Sequence, residues 1–229
     1  MCFDYAIVKN SMDIKMSKNK KQLRVEDGVV IGTASDKYET RNYIATKLVH
    51  GFDQSIQSLL RQIDPTTITE IGCGEGHVTA ILLQNTKANI NAFDISQTIV
   101  KEARDNISSS RVTFERKSIF ELHPEQHAAD LVVCCEVLEH LDDPEKGLNL
   151  LANIARPYAL LSVPREPLWC GLNMLRGAYL KDFGNTPGHL QHWSKKGFLD
   201  FVGSRFEILA TASPLPWTVV LAKTKSSAL

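Results

Sequence analysis

The spacing of apolar positions changes period several times along the chain. In "ETRNYIATKLVHGFDQSIQSLLRQI", Ile44, Leu48, Phe52, Ile56, Leu59, Leu60 and Ile63 recur at helical intervals. This predicts an amphipathic helix, which "DPTT" ends. Strand-like and helix-like runs then alternate. "TITEI", "ANINAFDI", "RVTFER", "ADLVVCC", "YALLSVP", "FEILATAS" and "WTVVLAKT" read as strands. "GHVTAILLQN", "SQTIVKEARDNI", "DPEKGLNLLANIA" and "KKGFLDFV" read as helices. Ser96 or Thr98 can cap the second of these and Ser194 the last. Asp143 can cap the third, with Pro144 suited to its first position. The unbroken apolar run of "ADLVVCC" is expected of a strand covered on both faces. Alternation of this kind predicts an α/β fold, an open and mostly parallel sheet with helices on both sides.

Two segments fall outside that rhythm. Residues 1–25 lack sustained periodicity and are expected to form a weakly ordered extension, leaving 26–229 as a single domain. Lys15, Lys18, Lys20, Lys21 and Arg24 make the extension locally basic, the usual pattern of a solvated tail. Residues 165–193 exceed an ordinary connection between strand and helix. The segment mixes Leu168, Trp169, Leu172, Met174, Leu175, Tyr179 and Leu180 with Arg165, Arg176 and Lys181. It reads as a lid or substrate wall, with an extra packed helix as the plainer alternative.

Bulk composition narrows the classes of partner. The 229 residues carry a formal net charge of +0, so no global field favours nucleic acid or an anionic membrane. Five cysteines without ligand-like spacing argue against a disulfide framework and point to a reducing cytoplasmic setting. Cys134 and Cys135 sit within an apolar strand, where cysteine behaves as a small hydrophobe. No apolar run approaches the roughly 18 residues that a spanning helix requires.

The strongest chemical signal is "TEIGCGEGHV", where a strand turns into a helix. Gly72, Gly74 and Gly76 permit a tight turn and close approach of a ligand to the backbone. His77 stands where the dinucleotide pattern G-x-G-x-x-G has its third glycine, which disfavours a pyrophosphate and an NAD-dependent oxidoreductase. Asp94 ends the next strand, where an acid can accept from both hydroxyls of a ribose. Glycine turn and distal acid together read as a site for an adenosine-type nucleoside.

With "FDIS" and "ADLVVCCEVLEHLDDP", the turn "EIGCGEG" resembles the successive motifs of Rossmann-like S-adenosylmethionine-dependent methyltransferases over residues 66–164. The resemblance implies a sheet of order 3-2-1-4-5-7-6 with strand 7 antiparallel. It places Glu70, Gly72, Cys73, Gly74 and Gly76 at the methionine end of the cofactor. Asp94 would take the ribose and Ile95 would flank the adenine. Ser118 and Ile119 stand beside the adenine, Ser118 where the family often has an acid. Cys135 and Glu136 would line the exit of the fourth strand near the sulfonium. Tyr38 and Arg41 are family-position candidates for closing over the cofactor. The implied reaction is methyl transfer to an oxygen or nitrogen nucleophile. The alternatives are a metal-assisted RNA 2′-O-methyltransferase and a non-catalytic S-adenosylmethionine- or nucleoside-binding protein on the same fold.

"CCEVLEHLDDPEK" holds the remaining chemistry. Glu136, Glu139 and His140 at i, i+3 and i+4 would share one face of a helical turn. Three readings stand: polar lining of a loop, a divalent-metal site, and His140 as a general base. The unit resembles E-x-x-E-H of ubiquinone-pathway O-methyltransferases and of small-RNA 2′-O-methyltransferases, which binds metal in both. The RNA enzymes add a histidine shortly before a later Trp-Ser/Thr. "GHLQHWSKK" offers His189 and His192 there, and His189 is a second candidate base. The apolar residues of 165–193 suggest an aromatic or lipid-like small acceptor, with peripheral membrane contact left open. Neutral charge and the lack of a recognisable RNA-binding module make nucleic acid the lesser expectation.

Overall fold

The computed structural model describes residues 25–26, 29–30, 43–175 and 188–225. The basic run from Lys15 to Arg24, Tyr38, Arg41, Tyr179 and Leu180 lie outside the described residues. Seven strands form the main sheet: β1 Thr67–Ile71, β2 Asn89–Asp94, β3 Val112–Arg116, β4 Ala129–Cys135, β5 Ala155–Pro164, β6 Phe206–Ala212 and β7 Trp217–Thr224. Their order across the sheet is 3-2-1-4-5-7-6. Neighbours from β3 through β5 run parallel, whereas β7 lies antiparallel to both β5 and β6. A separate pair of two-residue strands, Val25–Glu26 and Val29–Val30, precedes the sheet.

Period-two alternation assigns each strand residue to one of two cores. Leu131, Val133 and Cys135 pack with α1 Tyr43–Leu60, α2 His77–Asn85 and α3 Gln97–Asn106. Val132 and Cys134 pack with α4 Pro144–Ile154 and α6 Lys195–Gly203. Both faces of β4 are thereby covered, which is why its sequence reads as continuously apolar. Ser96 accepts from the Ile99 amide, Asp143 from Lys146 and Ser194 from Gly197, so each of these helices starts on a side-chain cap. Within the segment expected to be a lid, α5 Leu168–Leu175 is a helix. Trp169 and Asn173 on it are buried, while Leu168 and Met174 face outward. Among the described residues, no helix is long and apolar enough to cross a membrane.

The connections run from β1 to β2 on one side and return to β4 on the other. The carboxyl ends of β1 and β4 therefore flank the crevice where open α/β sheets bind ligands. Their register is tight: Ile71 is opposite Cys134. Immediately beyond, Gly72 has φ +72°, and a Cβ there would stand 2.1 Å from Cγ2 of Val137. Both features demand glycine. Gly72→Ala is expected to cost about 2–4 kcal/mol, from left-handed strain plus overpacking. Adding Val137→Ala should restore the overpacking share alone. Urea unfolding of the two variants beside wild type measures both quantities.

Candidate active site

The glycine turn closes onto β2. The amides of Gly72 and Cys73 both donate to the Phe93 carbonyl, at 2.8 and 3.0 Å. Gly74 has φ +54°, and a Cβ added there would meet nothing within 4 Å, so the turn presents bare backbone to open space. Asp94 faces the same space from the end of β2. Its carboxylate accepts from the Gly74 amide at 3.1 Å and from the Ser96 amide at 3.0 Å. Burial, opposed by those amides, raises the Asp94 carboxyl above its usual range. Ile95 is exposed beside it. Glu26 reaches the neighbouring start of α3, accepting from Ser96 Oγ at 2.5 Å and from the Gln97 amide at 3.1 Å.

Other expected cofactor residues are placed less directly. Ser118 caps the short turn Ile119–Glu121, accepting from the Phe120 amide while its own amide donates to Glu121. Ile119 is 5% exposed and belongs to the core layer of Leu122 and Leu148. Cys73 and Cys135 are buried, and burial pushes both thiols far above their ordinary range, as it does for Cys134. These cysteines pack; they are not thiolate nucleophiles.

The acid–histidine unit differs from the single helical face expected of it. Glu136 has φ +60°, and the following turn, Leu138–His140, is a 3-10 helix. The left-handed residue breaks the helical spacing, and the Glu136 carboxylate is held by β5 and β7. Ser162 Oγ donates to its Oε1 at 3.1 Å and Trp217 Nε1 to its Oε2 at 2.7 Å. The residue that joins Glu139 and His140 is His189, and one ligand atom from each of the three lies within 4.8 Å of the others. His192 is exposed and outside this group.

Loop 188–191 is tied to the 3-10 turn by backbone. Leu190 and Gln191 amides donate to the Glu139 carbonyl at 2.8 and 3.0 Å. His140 donates Nδ1–H to the Gly188 carbonyl at 2.7 Å, which in the neutral imidazole leaves the lone pair on Nε2. A line of rings continues from there: His140 to His189 at 5.0 Å, His189 to Trp169 at 6.1 Å, Trp169 to Trp217 at 5.9 Å and Trp217 to Phe52 at 5.0 Å. Trp193 stacks instead on Phe201 beneath α6. Sequence reasoning missed Ser162 and Trp217 as site residues. An indole opening a strand just after "PLP" was the available signal.

Comparison with known proteins matches residues 68–158 to a family described as a methyltransferase domain. An uncharacterised protein of Synechococcus is 32% identical over 107 residues, 44% of this chain and 26% of that protein. A ubiquinone biosynthesis O-methyltransferase of Nitrosospira multiformis is 29% identical over 93 residues, 39% of this chain and 38% of the enzyme. The chain thus spans less than half the length of these relatives. Magnesium protoporphyrin IX methyltransferase of Synechocystis, solved with bound SAH, superposes with a TM-score of 0.62 at 21% identity, covering 83% of this chain and 94% of the other. The fold is that of the Rossmann-like S-adenosylmethionine-dependent methyltransferases.

Within this methyltransferase domain, Glu70 is the deepest ionisable group beside the turn. It is 2% exposed, and Thr79 Oγ1 donates to its Oε2 at 2.7 Å. Burial outweighs that bond and pushes its carboxyl up to about 8. The unfolded chain releases this proton near pH 4.5, and the folded chain retains it until about pH 8. Between those values the native state binds more protons, so its stability falls as pH rises. Glu70→Gln should flatten that decline. Thermal midpoints measured from pH 5 to pH 8 are expected to drop in wild type and to drop less in the variant.

Proposed function

We propose that this protein transfers the methyl group of S-adenosylmethionine to an oxygen or nitrogen nucleophile of a small, partly apolar acceptor. The observation that carries this reading is the pairing of the bare Gly74 backbone with the Asp94 carboxylate at the crevice between β1 and β4. Gly72, Gly74 and Gly76 receive the methionine end, with Glu70, Cys73 and Cys135 beneath it. Asp94 accepts from the ribose hydroxyls, and exposed Ile95 flanks the adenine. The Ser118–Ile119 turn borders the adenine from below, through backbone more than through side chains.

A sulfonium is already a good leaving group, so the protein's task is alignment of donor and acceptor. The acceptor's lone pair attacks the methyl carbon in line with the departing sulfur, which becomes a neutral thioether. A proton leaves the acceptor. His140 Nε2 suits that role because Nδ1–H is held by the Gly188 carbonyl. His189 stands next to it, and Glu136 lies across the crevice. Trp169 and Trp217 supply the apolar wall against which an aromatic or lipid-like acceptor would lie.

A metal-assisted form of the same reaction is favoured by one specific observation, the convergence of Glu139, His140 and His189 ligand atoms within 4.8 Å. One carboxylate and two imidazoles suit a borderline divalent ion, and a histidine whose other nitrogen donates to a carbonyl is the usual support for such a ligand. Bound there, an ion would lower the pKa of an acceptor hydroxyl. Titration of Co²⁺ should give d–d absorption bands in wild type and none in His189→Ala; a wild-type protein without bands rejects the metal form. For the cofactor, Asp94→Ala is expected to weaken S-adenosylhomocysteine at least ~30-fold by calorimetry, the loss of charged hydrogen bonds worth about 2 kcal/mol. Unchanged affinity in that variant would remove the cofactor assignment.

A further inference from the structure

Glu136 is the one non-glycine residue with positive φ among the described residues. Left-handed backbone is disfavoured for a residue bearing Cβ, and it persists only where the surroundings over-determine it. Here three bonds do so. The Glu136 amide donates to the Ser162 carbonyl at 3.0 Å, Ser162 Oγ to Oε1 at 3.1 Å and Trp217 Nε1 to Oε2 at 2.7 Å. The indole that makes the shortest of them is 3% exposed and is flanked by Phe52 on α1 and Trp169 on α5. Four elements thus converge on the orientation of one carboxylate. Its chain neighbour Val137 abuts Gly72 of the cofactor turn, which fixes the carboxylate at the mouth of the crevice.

We propose that Trp217 is a positioning residue that holds Glu136 as a fixed negative charge facing the sulfonium end of the cofactor, so that the site favours the cationic methyl donor over its neutral thioether product. The inference rests on the methyl-transfer reading. Methyl transfer removes the formal charge from sulfur. A carboxylate held in place in a partly desolvated crevice feels that difference more strongly than one free to swing into water. The bond from Trp217 supplies the restraint, and the Ser162 hydroxyl supplies its counterpart on the other oxygen. A charge recognised in the ground state and lost in the transition state does not speed the chemical step. The benefit falls on cofactor exchange: donor displaces spent product.

The test is calorimetric titration with S-adenosylmethionine, its amine-bearing analogue sinefungin and S-adenosylhomocysteine. Wild type is compared with Trp217→Phe, Glu136→Gln and the double variant. Trp217→Phe keeps the ring and removes only the N–H. It should lower the donor-to-product affinity ratio about fivefold, the scale of a weakened ion pair, with product affinity held within about twofold. Glu136→Gln should lower the ratio at least as far, and the double variant no further than Glu136→Gln alone. Raising salt should narrow the ratio in wild type more than in Glu136→Gln. A general packing role for Trp217 would weaken all three ligands alike and leave the ratio unmoved. Ser162→Ala gives an independent reading through the other oxygen if Trp217→Phe does not fold. Ratios equal to wild type in Glu136→Gln and in either positioning variant overturn the proposal. A wild-type protein that binds none of the three ligands overturns the methyl-transfer reading itself, a distinct result.

Discussion

The carboxyl ends of β1 and β4 can lie side by side only because Gly72 carries no side chain. Ile71 and Cys134 are in register, and Val137 occupies the volume where a Cβ of Gly72 would project. Much follows from that contact. It brings the glycine turn against the exit of β4, sets Glu136 at the crevice and starts the 3-10 turn that carries Glu139 and His140. The two-sided core holds the strands in this register, since sliding β4 by one residue would exchange its two apolar faces.

The site has two halves of different construction. The region around the glycine turn is mostly backbone: glycine amides, the Ser96 amide and one acid between them. Backbone geometry of this kind is fixed by the sheet and by the Ser96 cap of α3. The region around His140 is built from side chains: two histidines, two carboxylates and a run of aromatic rings drawn from α1, α5, β7 and the loop at 188–191. Side chains of this kind can be exchanged without disturbing the register of the strands.

The glycine turn and the acid ending β2 were legible in the sequence, and the surroundings of Glu136 and His140 only partly. The inner strand β4 was announced by an apolar run, because burial on both faces leaves little room for polar residues, whereas the edge strands β3 and β6 keep exposed positions. β5 begins at Ala155, earlier than its pattern suggests, since Arg156 and Pro157 interrupt the apolar run. Asp94 and the glycines were found because backbone approach demands particular residues at fixed local spacing. Glu136 was misplaced because i, i+3, i+4 spacing implies a shared face only where the backbone is helical, and a left-handed residue breaks that premise. Trp217 is 81 residues from the carboxylate it holds, a separation no local pattern reports. The lid-like segment proved to contain a helix with a buried tryptophan, so its apolar residues serve core and wall together.

The position of β7 carries a consequence for how the molecule is made. It is the last strand of this sheet in chain order, yet it lies between β5 and β6 rather than at an edge. A growing chain can assemble β1 to β5, and with them the glycine turn and Asp94, while the slot beside β5 still stands open. The indole that bonds Glu136 enters with β7. The glycine turn is therefore in place before the Glu136 carboxylate gains its indole partner.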